Sequence, residues 1–222
     1  MPSMVDYEIA GQEVQYLKAK LSPEEYVYIE PGHLIYKDAS VRLGASAGGL
    51  RGAFSHLLSG SAVFLLKVEG PGEIVSAGFL PGKVVRIDLN GNSIIAEFNA
   101  FLAMDSTVSY STKFAGITQA IFGGEGVFLE RFSGNGSVFL HGHGLPIVKD
   151  LKPGEEIQAE MSHLLAFEDG MEYTIERIGG LKTMLLAGAE GEGLFFARIR
   201  GPGRVWLHTI SLFQLAAKLM RR

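Results

Sequence analysis

Apolar side chains recur at every second position through much of this chain, in short runs ended by glycine, proline or asparagine. Met171, Tyr173 and Ile175 alternate with Glu172, Thr174 and Glu176, and Phe195, Ala197 and Ile199 share one face of a run that carries Leu194, Phe196 and Arg198 on the other. Side chains of an extended strand point to opposite faces in turn, so this period predicts strands. Both faces are apolar where the second run begins, as in a strand covered on both sides. Only SLFQLAAKLMRR departs from period two: Leu212, Leu215, Ala216 and Leu219 follow helical spacing, and Arg221 and Arg222 suit the negative end of a helix dipole. The pattern predicts an all-β chain closed by a helix over 211–222.

The strand signals repeat. GEGLFFARIRGPGRVWLHT (191–209) is matched by GEGVFLERFSGNGSVFLH (124–141) and GSAVFLLKVEGPGEIVSA (60–77). Val63, Val127 and Leu194 align, as do Lys67, Arg131 and Arg198, and His141 aligns with His208. A matched alternation recurring at a fixed period is the mark of an internal repeat. The paired glycines Gly70 and Gly72, Gly134 and Gly136, and Gly201 and Gly203 read as tight hairpin turns needing positive φ, with the next strand pairing back on the first. Upstream of each lies a glycine-rich apolar stretch, GGLRGAFSHLLSG, FAGITQAIFGG or GGLKTMLLAGAEG. Leu50, Phe54, Leu57 and Leu58 fall at helical spacing there, predicting short helical insertions. Further strands are expected in LPGKVVRIDL and LKPGEEIQAEM, and Asn90-Gly91 signals a hairpin. The expected organisation is one domain over 1–222, with repeats near 25–79, 99–145 and 162–211.

GGLKTMLLAGAEGEGLFFARIRGPGRVWLHT, FGGEGVFLERFSGNGSVFLHG and PGKVVRIDL together resemble the altered-inheritance-of-mitochondria protein 24 type family, also called domain of unknown function 124. The resemblance runs from about residue 5 to 210, and is weakest in the first copy, where GSAVF replaces GEGVF. It implies a TRAP-like fold: three fused β-sandwich units in a pseudo-threefold arrangement. The mitochondrial relatives are linked to inner-membrane organisation, and no catalytic or ligand residues carry over.

Composition narrows the chemistry. The 222 residues include no cysteine, which removes disulfides and Cys-based metal or thiol chemistry. The formal charge is −4 without a basic stripe, a poor footprint for nucleic acid: DNA binding is not expected, and RNA binding is suggested only by the TRAP analogy. The N-terminus has no basic start before an apolar core, and no apolar stretch reaches the roughly 18 residues of a membrane span, so a cytoplasmic protein is expected.

His141-Gly142-His143 places two imidazoles at i and i+2, a metal-ligand spacing that His163, His208 or Glu130 could complete. The glycines start and end strands instead of opening a helix, so they do not form a phosphate cradle. Ser61, Ser76, Ser109 and Ser137 lack a nucleophile elbow. Glu155-Glu156 and Glu168-Asp169 sit at turns, where solvated acids belong. Lys67, Arg131 and Arg198 could ring an anion or pair with nearby acids across strands. The apolar residues of the glycine-rich stretches (Leu50, Phe54, Leu57, Leu58; Ile117, Ile121, Phe122; Leu181, Met184, Leu185, Leu186) either cap their units or form a contact surface.

The sequence therefore predicts a non-enzymatic assembly or interaction protein without a cofactor. It is expected to be a homo-oligomer, with an unknown protein or a membrane surface as a further partner. Ligand or metal binding at His141/His143 and RNA binding are the alternatives.

Overall fold

The computed structural model describes residues 5–45, 65–114, 128–178 and 194–220. Its strands in chain order are β1 (Asp6–Ala10), β2 (Tyr16–Leu21), β3 (Tyr26–Ile29), β4 (Leu34–Lys37), β5 (Arg42–Ala45), β6 (Leu66–Glu69), β7 (Gly72–Ser76), β8 (Gly82–Glu97) and β9 (Phe101–Asp105). They continue with β10 (Val108–Phe114), β11 (Phe128–His143), β12 (Pro146–Leu151), β13 (Glu156–Glu160), β14 (Leu164–Glu168), β15 (Glu172–Ile178), β16 (Leu194–Arg200) and β17 (Gly203–His208). Among the described residues the fold is all-β apart from 3-10 turns at Pro31–His33, Phe98–Ala100 and Met161–His163 and one α-helix, α1 (Leu212–Met220).

Two compact units form. The first comprises 1–92, 99–110 and 132–142; the second comprises 93–98, 111–131 and 143–222. In the first, the ladder β1-β2-β7-β4 packs against one that contains β9-β3-β6-β5. Leu17, Ala19 and Leu21 of β2 and Ile74 of β7 meet Val27 and Ile29 of β3 and Val68 of β6 in one core. In the second, β12-β17-β14 packs against β13-β16-β15. There Leu151, Leu164, Phe167 and Val205 meet Phe195, Ala197 and Ile199. Alternation explains both cores: every second residue of each strand is the buried one.

The Gly-x-Gly segments are not hairpin turns, contrary to the sequence expectation. β6 is bonded on its two edges to β3 and β5, whereas β7 is bonded to β2 and β4. The chain therefore turns a corner from one layer of the sandwich to the other at Gly70-Pro71-Gly72, and again at Gly201-Pro202-Gly203. In the middle copy β11 runs through Gly134-Asn135-Gly136 as one strand. The second glycine of each corner has positive φ: +137° at Gly72, +147° at Gly136 and +146° at Gly203. Of the first glycines only Gly134 does, at +123°. Gly70 and Gly201 are required by close approach instead. A Cβ on Gly70 would lie 2.9 Å from the Leu21 Cβ, and one on Gly201 would lie 2.7 Å from the Leu151 Cβ.

The Asn90-Gly91 hairpin is also absent. β8 continues through it, with Gly91 at φ +83° and the Asn90 N–H donating to the Asn92 side chain at 2.8 Å. The physical reason is burial. Val84 before the dipeptide belongs to the core of the first unit and Ile95 after it to the core of the second, so each arm is fixed by the core it enters.

One irregularity recurs in three pairings. Between β4 and β7, Leu34 faces Ser76 and Tyr36 faces Val75. Between β9 and β11, Phe101 faces Leu140 and Ala103 faces Phe139. Between β14 and β17, Leu164 faces Leu207 and Ala166 faces Trp206. Each pairing skips one residue on the strand that follows a 3-10 turn, which is a β-bulge. The apolar positions 50–58, 117–122 and 181–186, and the helical insertions expected there, lie outside the described residues.

Candidate functional site

Of the histidines expected to bind metal, His141, His143 and His208 are buried and His163 is partly exposed, and the fold engages all four. His141 is 1% exposed, and its Nε2 lies 2.9 Å from the Leu80 carbonyl. Gly78 and Gly82 make room for it: a Cβ on Gly78 would overlap the imidazole, with Nδ1 at 2.5 Å, and one on Gly82 would stand 3.0 Å from Nε2. Burial pushes the His141 pKa down, the Leu80 carbonyl opposes that, and the nearby His33 adds to the lowering.

His143 joins a different group. Its ring lies 5.0 Å from that of His208, and the His208 ring lies 6.3 Å from that of His163. The His143 N–H donates to His208 Nδ1 at 3.3 Å, and His208 Nε2 faces the Ser162 carbonyl at 3.1 Å. Nδ1 must then be the bare nitrogen and Nε2 the protonated one, so His208 is held as a neutral tautomer with both nitrogens engaged. His163 Nδ1 donates to the His208 carbonyl at 2.8 Å, and its Nε2 stands 3.5 Å from Glu160. Glu160 also accepts from the Ser162 hydroxyl at 2.5 Å. Of the sequence-suggested ligands, His143, His208 and His163 do come together. Among the described residues no three His, Asp or Glu side chains are placed to share a metal ion.

The other candidates likewise serve the frame. Lys67 pairs with Glu69 and sits 4.2 Å over the Tyr26 ring. Arg131 bonds Asp169 at 2.5 Å and Ser93 at 2.9 Å, and Arg198 bonds Glu156 at 3.1 Å and Glu176 at 3.3 Å. Glu155 accepts the Lys152 N–H at 2.9 Å. Ser137 donates its hydroxyl to Asp88 at 2.7 Å and its N–H to Asp105 at 2.6 Å. Burial pushes the Asp88 carboxyl up, but the hydrogen bonds from Arg86 and Ser137 outweigh it and hold the group below its ordinary value.

Sequence reasoning missed two groups. Tyr7 donates to Asp105 at 2.5 Å, and burial, together with that carboxylate, pushes the phenol well above the tyrosine range. His33, 8% exposed, stands 3.6 Å from Glu30 and stacks on Phe79. It pairs with its glutamate as His163 does with Glu160. The shared strings EPGHL (30–34) and EMSHL (160–164) could have revealed this correspondence.

Exposed apolar side chains are spread over the described surface, Ile35, Phe79 and Leu219 among them. Leu145, Ile147 and Val148 are 55%, 49% and 52% exposed, on and beside β12, the end strand of its ladder. No helix among the described residues is long and apolar enough to cross a membrane.

Two layers of antiparallel strands joined at glycine corners, with polar groups tied into the frame, define a β-sandwich protein. The chain belongs to the mitochondrial biogenesis AIM24 family, whose model matches residues 7–210. A relative from Streptococcus pyogenes serotype M6, described as an uncharacterized protein, is 27% identical over 206 residues, covering 88% of this chain and 81% of its own. The crystal structure of another Streptococcus pyogenes protein has the same fold, with a TM-score of 0.82 at 22% identity over 98% of this chain and 99% of that one.

Proposed function

We propose that the chain is a non-enzymatic, self-associating assembly module built from a triplicated β-sandwich unit. The observation that carries the self-association is β12, which ends its ladder and bears exposed apolar side chains on both faces, Ile147 on one and Val148 on the other. The unpaired edge of such a strand is a ready template for pairing with another chain. The buried histidines and the basic triplet, in contrast, are already engaged in the fold. The triplication is supported by the bulge recurring in three pairings and by the second corner glycine adopting φ near +140° in each copy. It is supported again by an acid four residues on from the start of the bulged strand: Asp38 accepts the Glu73 N–H at 2.8 Å, as Asp105 accepts that of Ser137 at 2.6 Å. A TRAP-like arrangement of the three units and a cytoplasmic location belong to the same reading. So does a second contact surface at Leu50, Phe54, Leu57, Leu58, Ile117, Ile121, Phe122, Leu181, Met184, Leu185 and Leu186.

Multi-angle light scattering tests the proposal. The expected result is a mass that is a multiple of the 24.0 kDa chain and falls on dilution. A single-chain mass at every concentration overturns it. Stoichiometric bound metal, or salt-sensitive retention on RNA, would put one of the alternative activities in its place.

A further inference from the structure

β2 and β12 occupy the same place in their ladders. β2 pairs with β7 from Leu17↔Ser76 to Leu21↔Gly72, and β12 pairs with β17 from Ile147↔Leu207 to Leu151↔Gly203, each ending on the corner glycine. Their free edges differ. β1 covers the outer edge of β2, whereas β12 ends its ladder, and among the described residues no strand lies beyond it. The consequence shows in matched side chains: Leu17 is 1% exposed, and Ile147 is 49% exposed. The position built to hold a further strand in one half of the chain is open in the other.

The direction of the free hydrogen-bonding groups follows from the ladder. Thr209 donates its N–H to the Leu145 carbonyl at 3.1 Å, so Leu145 and every second residue after it turn their backbone groups toward β17. Pro146, Val148 and Asp150 therefore turn theirs outward. Pro146 has no N–H to lose at such a position, which is where an edge strand tolerates proline.

The sequence of β1 does not suit this edge. On β2 it sets Glu8 opposite Lys18, with a 3.0 Å ion pair, and Asp6 opposite Lys20. In the same register on β12 the partners would be Val148 and Asp150. The first ion pair is lost and two carboxylates are brought face to face. β12, in contrast, is complementary to itself. Antiparallel pairing about a twofold axis at Val148 sets Val148 against its own copy and lays the Lys149 stem over the exposed Ile147. It brings the Asp150 N–H to the Pro146 carbonyl, for about four backbone hydrogen bonds in all.

We propose that β12 is the self-association surface of this protein, adding the ladder of a second copy to its own edge to edge across Val148. The proposal rests on the assembly reading above and names its partner and contact. Two variants test it in the full chain. Val148→Pro removes one outward N–H and leaves the β17 side intact; it should weaken dimerisation at least tenfold in sedimentation equilibrium, with an unchanged circular dichroism spectrum. Val148→Cys supplies the only thiol in the chain. A hydrogen-bonded antiparallel pair holds its Cα atoms about 5.5 Å apart, within reach of a disulfide, so mild oxidation should yield a covalent dimer. Glu172→Cys, exposed on β15, should not cross-link in the same time. A wild-type oligomer that Val148→Pro leaves unchanged and Val148→Cys does not trap overturns this surface while the assembly reading stands. A wild-type chain that is a monomer throughout overturns both.

Discussion

Gly78→Ala isolates the packing around His141. The added methyl would sit inside the van der Waals envelope of the imidazole, with Nδ1 at 2.5 Å, and the ring has no open side because His141 is 1% exposed. Overfilling a packed site of this kind costs about 1–3 kcal/mol. Displacing the ring also endangers its 2.9 Å bond to the Leu80 carbonyl, worth a further ~1 kcal/mol. Replacing a glycine outside the positive-φ region returns about 0.4–1 kcal/mol by restricting the unfolded chain. The net expectation is a loss of about 1–3 kcal/mol. With a urea slope of about 2 kcal/mol per molar, the unfolding midpoint falls by about 0.5–1.5 M. Urea titration followed by far-ultraviolet circular dichroism measures this, and a double-mutant cycle assigns the cause. In a His141→Ala background the methyl fills space that the ring has left, so Gly78→Ala should cost under about 0.5 kcal/mol there. An equal cost in both backgrounds, or none in the wild type, refutes the cradle.

Further outcomes follow from the same geometry. Gly203→Ala should destabilise by about 2 kcal/mol, because φ +146° and a Met171 Cγ only 2.9 Å from the new methyl oppose it together. Gly154→Ala, at φ +82° with open space around it, should cost about 1 kcal/mol, and the difference between their thermal midpoints is the check. Because burial lowers the pKa of His141, the folded chain declines a proton that the unfolded chain accepts near 6.5. Stability is therefore full above that pH and falls below it, and His141→Gln should flatten the decline by up to about 1.4 kcal/mol per pH unit in urea titrations at pH 5 and 6. Nitrogen NMR on labelled histidine should find His208 neutral with Nδ1 bare at pH 7; His208→Ala should cost about 2–4 kcal/mol, since the buried groups it leaves behind lose their partners.

Much of the layered fold could be read from period two, because alternation in strands such as Phe195–Ile199 is imposed by burial in a core and does not depend on which strand pairs with which. Connectivity could not be read. A Gly-x-Gly between two apolar runs looks the same whether the chain reverses within one sheet or passes to the opposite layer. What decides it is that β6 and β7 each find both of their neighbours elsewhere, and that information is long-range. Asn90-Gly91 misled for the same reason: a strong local turn signal yielded to the burial of each arm in a core of its own. The histidine pair is divided by the fold, His141 meeting the Leu80 carbonyl and His143 meeting His208, because strand spacing fixes where side chains start and says nothing of the partners that reach them. The edge of β12 was hidden in LPIVKDL, which reads as an ordinary strand. Only comparison with β2 and its covering strand shows what is missing.

On the triplication reading, the three copies differ in a consistent way. The position of His33 is taken by Ala100 and His163 after the same 3-10 turn, and the position of His141 by Ala77 and His208. The polar filling therefore changes from copy to copy. What stays is demanded by the backbone: the skipped residue, the corner glycine and, in the first two copies, the acid that accepts the N–H beyond the corner. The described histidines meet carbonyls, amides, glutamates and one another, His33, His141, His143 and His208 in buried places and His163 in a partly exposed one. Variation then matters most where it changes what the surface offers, and the sharpest such change is the edge that β1 covers in one unit and nothing described covers in the other.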